Sequence, residues 1–134
     1  MFNDKIREFL QAPQIARLST IDENGYPHTV PLWFDVDGND LVIISDRNTR
    51  KIEHIAANSK GALQIGGDAA PAGSTGYLFK GKLSVEEDTD YEWLKRITRR
   101  YEEGEQAEKD IELWRTTLDM VVIRLKVQKV IKVY

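Results

Sequence analysis

A chain of 134 residues with 41% apolar and 31% charged side chains fits one domain with one core, and its formal net charge of −3 excludes broad nucleic-acid binding. The absence of cysteine excludes disulfides, iron–sulfur clusters, thiolate zinc sites and a cysteine nucleophile, and makes the cytoplasm the default compartment. No run reaches membrane-spanning length, and Met1 to Lys5 lack the apolar core of a signal peptide.

Phe2, Ile6, Phe9 and Leu10 share a helical face, so Asn3 to Gln11 reads as an amphipathic helix capped by Asn3 and closed by Ala12-Pro13. Ile15 to Ile21 reads as a strand. The Asn-Gly signal in Asp22-Glu23-Asn24-Gly25 then turns the chain into a second strand from about Tyr26 to Asp35. Asp37-Gly38-Asn39 leads straight into Leu41, Val42, Ile43 and Ile44, a continuous apolar run expected to be buried on both faces. Three strands joined by tight connections favour an antiparallel meander.

Thr49 is the expected N-cap of a helix that begins at about Arg50 and runs to Asn58, with Ile52, Ile55 and Ala56 as its apolar face. A short strand follows from Ala62 to Ile65. The Gly-, Ala- and Pro-rich stretch from Gly66 to Thr75 reads as a mobile loop and a candidate lid, and Tyr77 to Val85 as a further strand. Thr89 and Glu92 have the spacing of a capping box for a helix carrying Tyr91, Leu94, Ile97 and Tyr101, which Gly104 interrupts. A second helical stretch runs to about Thr117. The chain ends in a strand whose Val121, Ile123, Leu125 and Val127 share one face, with a bulge before Val130. The pattern predicts a mainly β, α+β fold over residues 1–134: a closed or nearly closed antiparallel barrel with peripheral helices. The interior of so small a barrel is filled by side chains, so a ligand belongs at a rim, a strand edge or a subunit boundary.

Several motifs fail on inspection. Gly76 to Lys82 follows the phosphate-loop pattern until Leu83, where Ser or Thr should stand, and its middle is strand-like. His28 and His54 lie on different elements without metal-ligand spacing, no serine sits in a G-x-S-x-G elbow, and Glu86-Glu87-Asp88 reads as a solvated turn. Trp93 and Trp114 read as packing residues. Trp33 and Phe34 have two readings, core or dimer packing and the cover of a planar ligand.

The charge placement at Arg50 and Lys51 stands out. Both cations sit in the first helical turn, where the macrodipole is already positive. With the turn's free amides and the Ser45 and Thr49 hydroxyls they form a candidate phosphate cradle; the alternative is that they extend into water or pair with Glu53 and nearby acids.

Three pieces of the chain together resemble the FMN-binding split-barrel family that includes pyridoxamine 5′-phosphate oxidase. They are Ala16 to Thr20 with Asn24 to Phe34, Ile44 to Lys51 leading into the helix, and Phe79 to Leu83. The resemblance spans roughly Ile15 to Val85, more loosely the last strand. It implies a split barrel in which Ser45, Thr49, Arg50 and Lys51 hold the flavin phosphate, with Asp46 beside them in the cofactor site, while Val30, Pro31, Leu32 and Trp33 run beside the ring. It also implies a cytoplasmic homodimer with FMN at the interface and redox chemistry on a small substrate, with a deazaflavin or haem as alternative cofactor and a non-catalytic carrier as alternative role. It names no general acid or base and no metal ligand. Gly76 stands where pyridoxamine phosphate oxidases place a ring-contacting Gln, and their C-terminal extension does not follow Tyr134. The resemblance therefore does not extend to oxidation of pyridoxamine phosphate itself.

Overall fold

A computed structural model describes residues 2–68 and 74–133. Among the described residues four α-helices, α1 (Asp4–Leu10), α2 (Arg50–Ala57), α3 (Glu92–Tyr101) and α4 (Gly104–Thr117), and a 3-10 turn at Thr89–Tyr91 accompany seven strands. The strands are β1 (Ala16–Ile21), β2 (Pro27–Leu32), β3 (Phe34–Asp37), β4 (Asp40–Asp46), β5 (Lys60–Gly66), β6 (Gly76–Glu87) and β7 (Met120–Lys132). They form one sheet in the order β2-β1-β5-β6-β7-β4-β3, antiparallel at every pairing.

The two edges of that sheet, β2 and β3, are consecutive in the chain and separated by Trp33 alone. The expected meander is therefore wrong in one respect. The extended run from Tyr26 to Asp35 is not one strand between two neighbours; it changes partner at Trp33, pairing with β1 before it and with β4 after it. A one-residue link cannot reverse the chain into a hairpin. The sheet instead curls until its edges approach and leaves a seam between them, which is a split barrel.

Leu18, Phe34, Leu41, Ile43, Leu63 and Phe79 are essentially inaccessible and fill the barrel interior. α1 joins this core through Phe2, whose ring meets Phe79 edge-on at 5.6 Å, and through Leu10. Asn3 caps α1 as expected, accepting from the Ile6 amide at 2.8 Å. On the other face of β4 and β7, Val42 and Val122 bury against Ile97 of α3, so β4 is covered on both sides, as its apolar run predicted. Asp35 ties α3 to the sheet: its carboxylate accepts from Arg96 Nε at 2.9 Å and from Arg100 Nη1 at 3.4 Å.

Other expectations shift in detail. The capping box does not form, because Asp88 supplies the cap instead. Its two carboxylate oxygens accept from the amides of Trp93 and Leu94, while Asp90 and Tyr91 take left-handed backbone angles to make the turn. β5 starts at Lys60, earlier than its apolar residues suggested. The bulge in β7 is present: Lys80 faces Lys129 but Gly81 faces Val127, which makes Gln128 the extra residue. At this bulge the backbones come so close that a Cβ on Gly81 would lie 2.0 Å from the Lys126 carbonyl oxygen. Half of the Gly66 to Thr75 loop, residues 69–73, lies outside the described residues; its ends are joined by the Gly67 amide donating to the Thr75 carbonyl at 3.0 Å.

Gly81→Ala is expected to destabilise the fold by about 3 kcal/mol, the upper range for overpacking, because the obstacle is backbone. Urea unfolding checks this, and an unchanged midpoint would remove the close approach from the account.

Candidate cofactor site

The site begins where β4 ends. Ser45 and Thr49 both donate to the Asp46 carbonyl, at 3.0 and 2.9 Å, and their oxygens are 3.3 Å apart. The Asp46 carboxylate accepts from the Asn48 amide at 3.2 Å, which folds the turn locally. Arg47 fixes it from outside, donating to Asp119 at 2.8 Å and to Glu87 at 2.6 and 2.8 Å. Thr49 occupies the N-cap position, but its hydroxyl serves Asp46 and makes no cap bond, so the first-turn amides of α2 are left without a side-chain acceptor.

α2 docks by the expected Ile52 and Ile55 but not by Ala56. Ile55 is buried, but Ala56 is exposed, and His54 turns inward with Ile55. His54 Nδ1 shares a hydrogen bond with Thr20 Oγ1 at 2.9 Å, and its ring meets that of His28 edge-on at 5.0 Å. These contacts pin α2 to β1 and β2. Their consequence is that Lys51 is half-buried while Arg50 is exposed.

The two cations are left in an unusual state. Among the described residues, eight of the nine arginines have a hydrogen bond or ion pair, and Arg50 is the one without. Pairing with Glu53 does not occur. Burial pushes the Lys51 ammonium below its ordinary value, and the charge of Asp46 offsets this only in part.

Pro31, Leu32 and Trp33 meet Ile44, Asp46, Trp114, Leu118 and Met120 around a cavity of about 500 Å³ at the seam. Trp33 forms one wall, stacked on Tyr101 at 4.9 Å and edge-on to Trp114 at 6.0 Å. Asp46 joins the two halves, since its carbonyl holds the Ser45 and Thr49 hydroxyls and it also lines the cavity. Of the nine candidate residues, Pro31, Leu32, Trp33 and Asp46 therefore line one space, and Ser45, Thr49, Arg50 and Lys51 cluster on the adjoining turn. Val30 instead packs against the core. Phe34 is fully buried and covers no ligand, whereas Trp114, assigned to packing from the sequence, stands in the cavity wall. Glu102 also lines it, its carboxyl held above the usual range by a hydrogen bond with Asp110.

A larger hollow, about 1070 Å³, lies at the junction of α3 and α4, but Glu102, Glu103, Glu105, Glu108 and Glu112 make it unsuitable for an anion. At Gly76 a Cβ would lie 2.2 Å from the Gly67 nitrogen, so this backbone admits no Gln there. Among the described residues no three metal-ligating side chains converge, and no helix is long and apolar enough to cross a membrane.

A curled seven-stranded sheet with a seam between consecutive edge strands defines the split-barrel class. The chain belongs to the pyridoxamine 5′-phosphate oxidase family, whose model matches residues 2–134. A search of curated proteins finds no significant match. Among solved structures the fold is similar to that of an F420 reductase, with TM-score 0.74 and 18% identity over 97% of this chain and 98% of that one. It is also similar to HutZ, the haem storage protein of Vibrio cholerae, with TM-score 0.71 and 20% identity over 95% and 91% of the two chains. A FAD-binding protein of Mesorhizobium loti gives TM-score 0.67 and 20% identity over 97% and 92%. At these identities the likeness establishes the fold.

Lys51 carries a signed stability consequence. Its depressed value means that charge on the folded protein is a cost at neutral pH, relieved as pH rises through the folded value towards the ordinary 10.5. Lys51→Met is thus expected to melt at or above the wild-type temperature at pH 7 without added ligand, with the difference shrinking at alkaline pH. Calorimetry at pH 7 and above pH 9 checks both; a variant that melts lower at pH 7 would contradict it.

Proposed function

We propose that this chain is an FMN-binding flavoprotein that carries out redox chemistry on a small substrate, working as a homodimer in the cytoplasm. The observation that carries the reading is Arg50: an exposed guanidinium with no partner among the described residues, at a helix N-terminus whose amides have no cap. Two cations there oppose the macrodipole by roughly 0.3–1 kcal/mol each. A phosphate reverses the sign of that interaction and accepts from the same donors.

The residues fit the group. Arg50 and Lys51 would neutralise the phosphate, the Ser45 and Thr49 hydroxyls would turn to donate to it, and Asp46 would hold the turn in shape. Pro31, Leu32 and Trp33 would meet the ring edge from the seam, with the apolar wall of Ile44, Trp114 and Met120 excluding water. When bound, the flavin supplies the electron transfer, and the protein supplies binding, orientation and access. Ile15 and Leu118 are 43% and 41% exposed at the cavity rim, an apolar margin that a second copy would cover.

A deazaflavin is the second reading, favoured by the similarity to the reductase above and by a cradle that recognises phosphate rather than one ring. Haem is less well served. His54 is buried with Nδ1 bonded to Thr20, and His28 Nδ1 is buried as well.

Fluorescence titration with FMN and with riboflavin, which lacks the phosphate, tests the reading. Charge-assisted hydrogen bonds contribute about 1.5–3 kcal/mol, so FMN is expected to bind roughly 10–150-fold more tightly than riboflavin. Arg50→Ala is expected to erase most of that margin without lowering the melting temperature. Equal affinities, or an Arg50→Ala protein that still prefers FMN, would overturn it. A tighter phosphate-bearing deazaflavin with the same Arg50 dependence would decide for the second reading.

A further inference from the structure

Three arginines border a second, separate hollow. Arg7 of α1 and Arg96 and Arg100 of α3 line a space of about 280 Å³ together with Gln11 and Asp35, over Leu10 and Val36. Each guanidinium is clamped. Arg7 donates through Nη1 to the Gly38 carbonyl at 3.1 Å and through Nη2 to Asn39 Oδ1 at 2.8 Å. Arg96 is held by Nε on Asp35, and Arg100 by Asp35 and by the Leu10 and Ala12 carbonyls at 2.7 and 3.1 Å. Each also lies over an aromatic ring: Arg7 on Phe2 at 5.6 Å, Arg96 on Trp93 at 4.6 Å and Arg100 on Phe34 at 5.0 Å.

The charge does not balance. Asp35 is the one acid lining the hollow, so two positive charges are left over among side chains that cannot swing away from one another without breaking these contacts. Donor capacity is left over too. Among the described residues, both Nη groups of Arg96 and the side-chain amide of Gln11 have no hydrogen-bond partner. Solvation accounts for a lone arginine on a surface; it gives no reason for three to be fixed by α1, α3 and three rings around one opening.

We propose that this hollow binds a small multivalent oxyanion, a phosphate-type or polycarboxylate group, independently of the cradle at Arg50. Arg96 presents its two Nη groups in the fork that matches two oxygens of such an anion, Gln11 donates a further hydrogen bond, and Arg7 and Arg100 neutralise the remaining charge. The bound anion links α1 to α3 across Asp35 and stabilises the folded chain through linkage.

Isothermal titration of the full chain with inorganic pyrophosphate and with citrate, at fixed ionic strength, tests this. Saturable binding of at least one is expected, and which binds more tightly separates the phosphate from the polycarboxylate source. In the Arg50→Ala background, which disables the phosphate cradle, the binding event at the hollow is expected to remain with unchanged affinity. Arg96→Gln is expected to weaken it at least tenfold, as is Gln11→Glu, which puts a carboxylate in the hollow while keeping the Asp35 pairs intact. No binding of either anion, loss of binding in Arg50→Ala, or wild-type affinity in Gln11→Glu with Arg96→Gln would each overturn the proposal.

Discussion

A single residue between two sheet edges governs this molecule. Because only Trp33 separates β2 from β3, those strands cannot pair as a hairpin, and they lie at opposite ends of the strand order, β2 on β1 and β3 on β4. Curling brings the edges together without ladder bonds between them. The interior still fills with side chains, so the space available to a ligand is displaced to the seam, where Trp33 itself becomes a wall. The position of the site is thus a consequence of connectivity before it is a matter of particular side chains.

Against that background the charged residues fall into two groups. Arg47 and Arg124 are consumed by structure: Arg47 pairs with Glu87 and Asp119, and Arg124 alone contacts Asp37, Asp40 and Glu86. Arg50 and Lys51 make no hydrogen bond or salt bridge among the described residues. One is exposed with no partner among the described residues, and the other is held partly out of water against its own charge preference. Local stability and placement conflict at this turn, and such conflicts concentrate at functional positions.

What could be read from the amino-acid order follows the range of the forces involved. The Leu41 to Ile44 run, the Asn3 cap, the bulge before Val130 and the first-turn cations at Arg50 and Lys51 are local signals, and each lies where it was expected. The resemblance over Ile15 to Val85 also carried the split barrel. Three features could not be read locally. Trp33 changes ladder partner because of strand order, which no window around it encodes. α2 turns His54 rather than Ala56 inward because Thr20, thirty-four residues earlier, offers a hydrogen bond. Trp114 lines the cavity only because α3 and α4 fold back over β4. The displacement of Thr89 by Asp88 as cap is, by contrast, local: a carboxylate reaches two amides at once.

The proposed site requires one anionic, planar cofactor to span the Asp46 turn and the seam. Amide chemical-shift mapping of the nitrogen-15-labelled protein during FMN addition tests it most directly. The largest shifts are expected at Ser45, Asp46, Thr49, Arg50 and Lys51 and at Leu32 and Trp33, with little change along the exposed face of α4. Shifts confined to α3 and α4, or absent from Arg50 and Lys51, would contradict it.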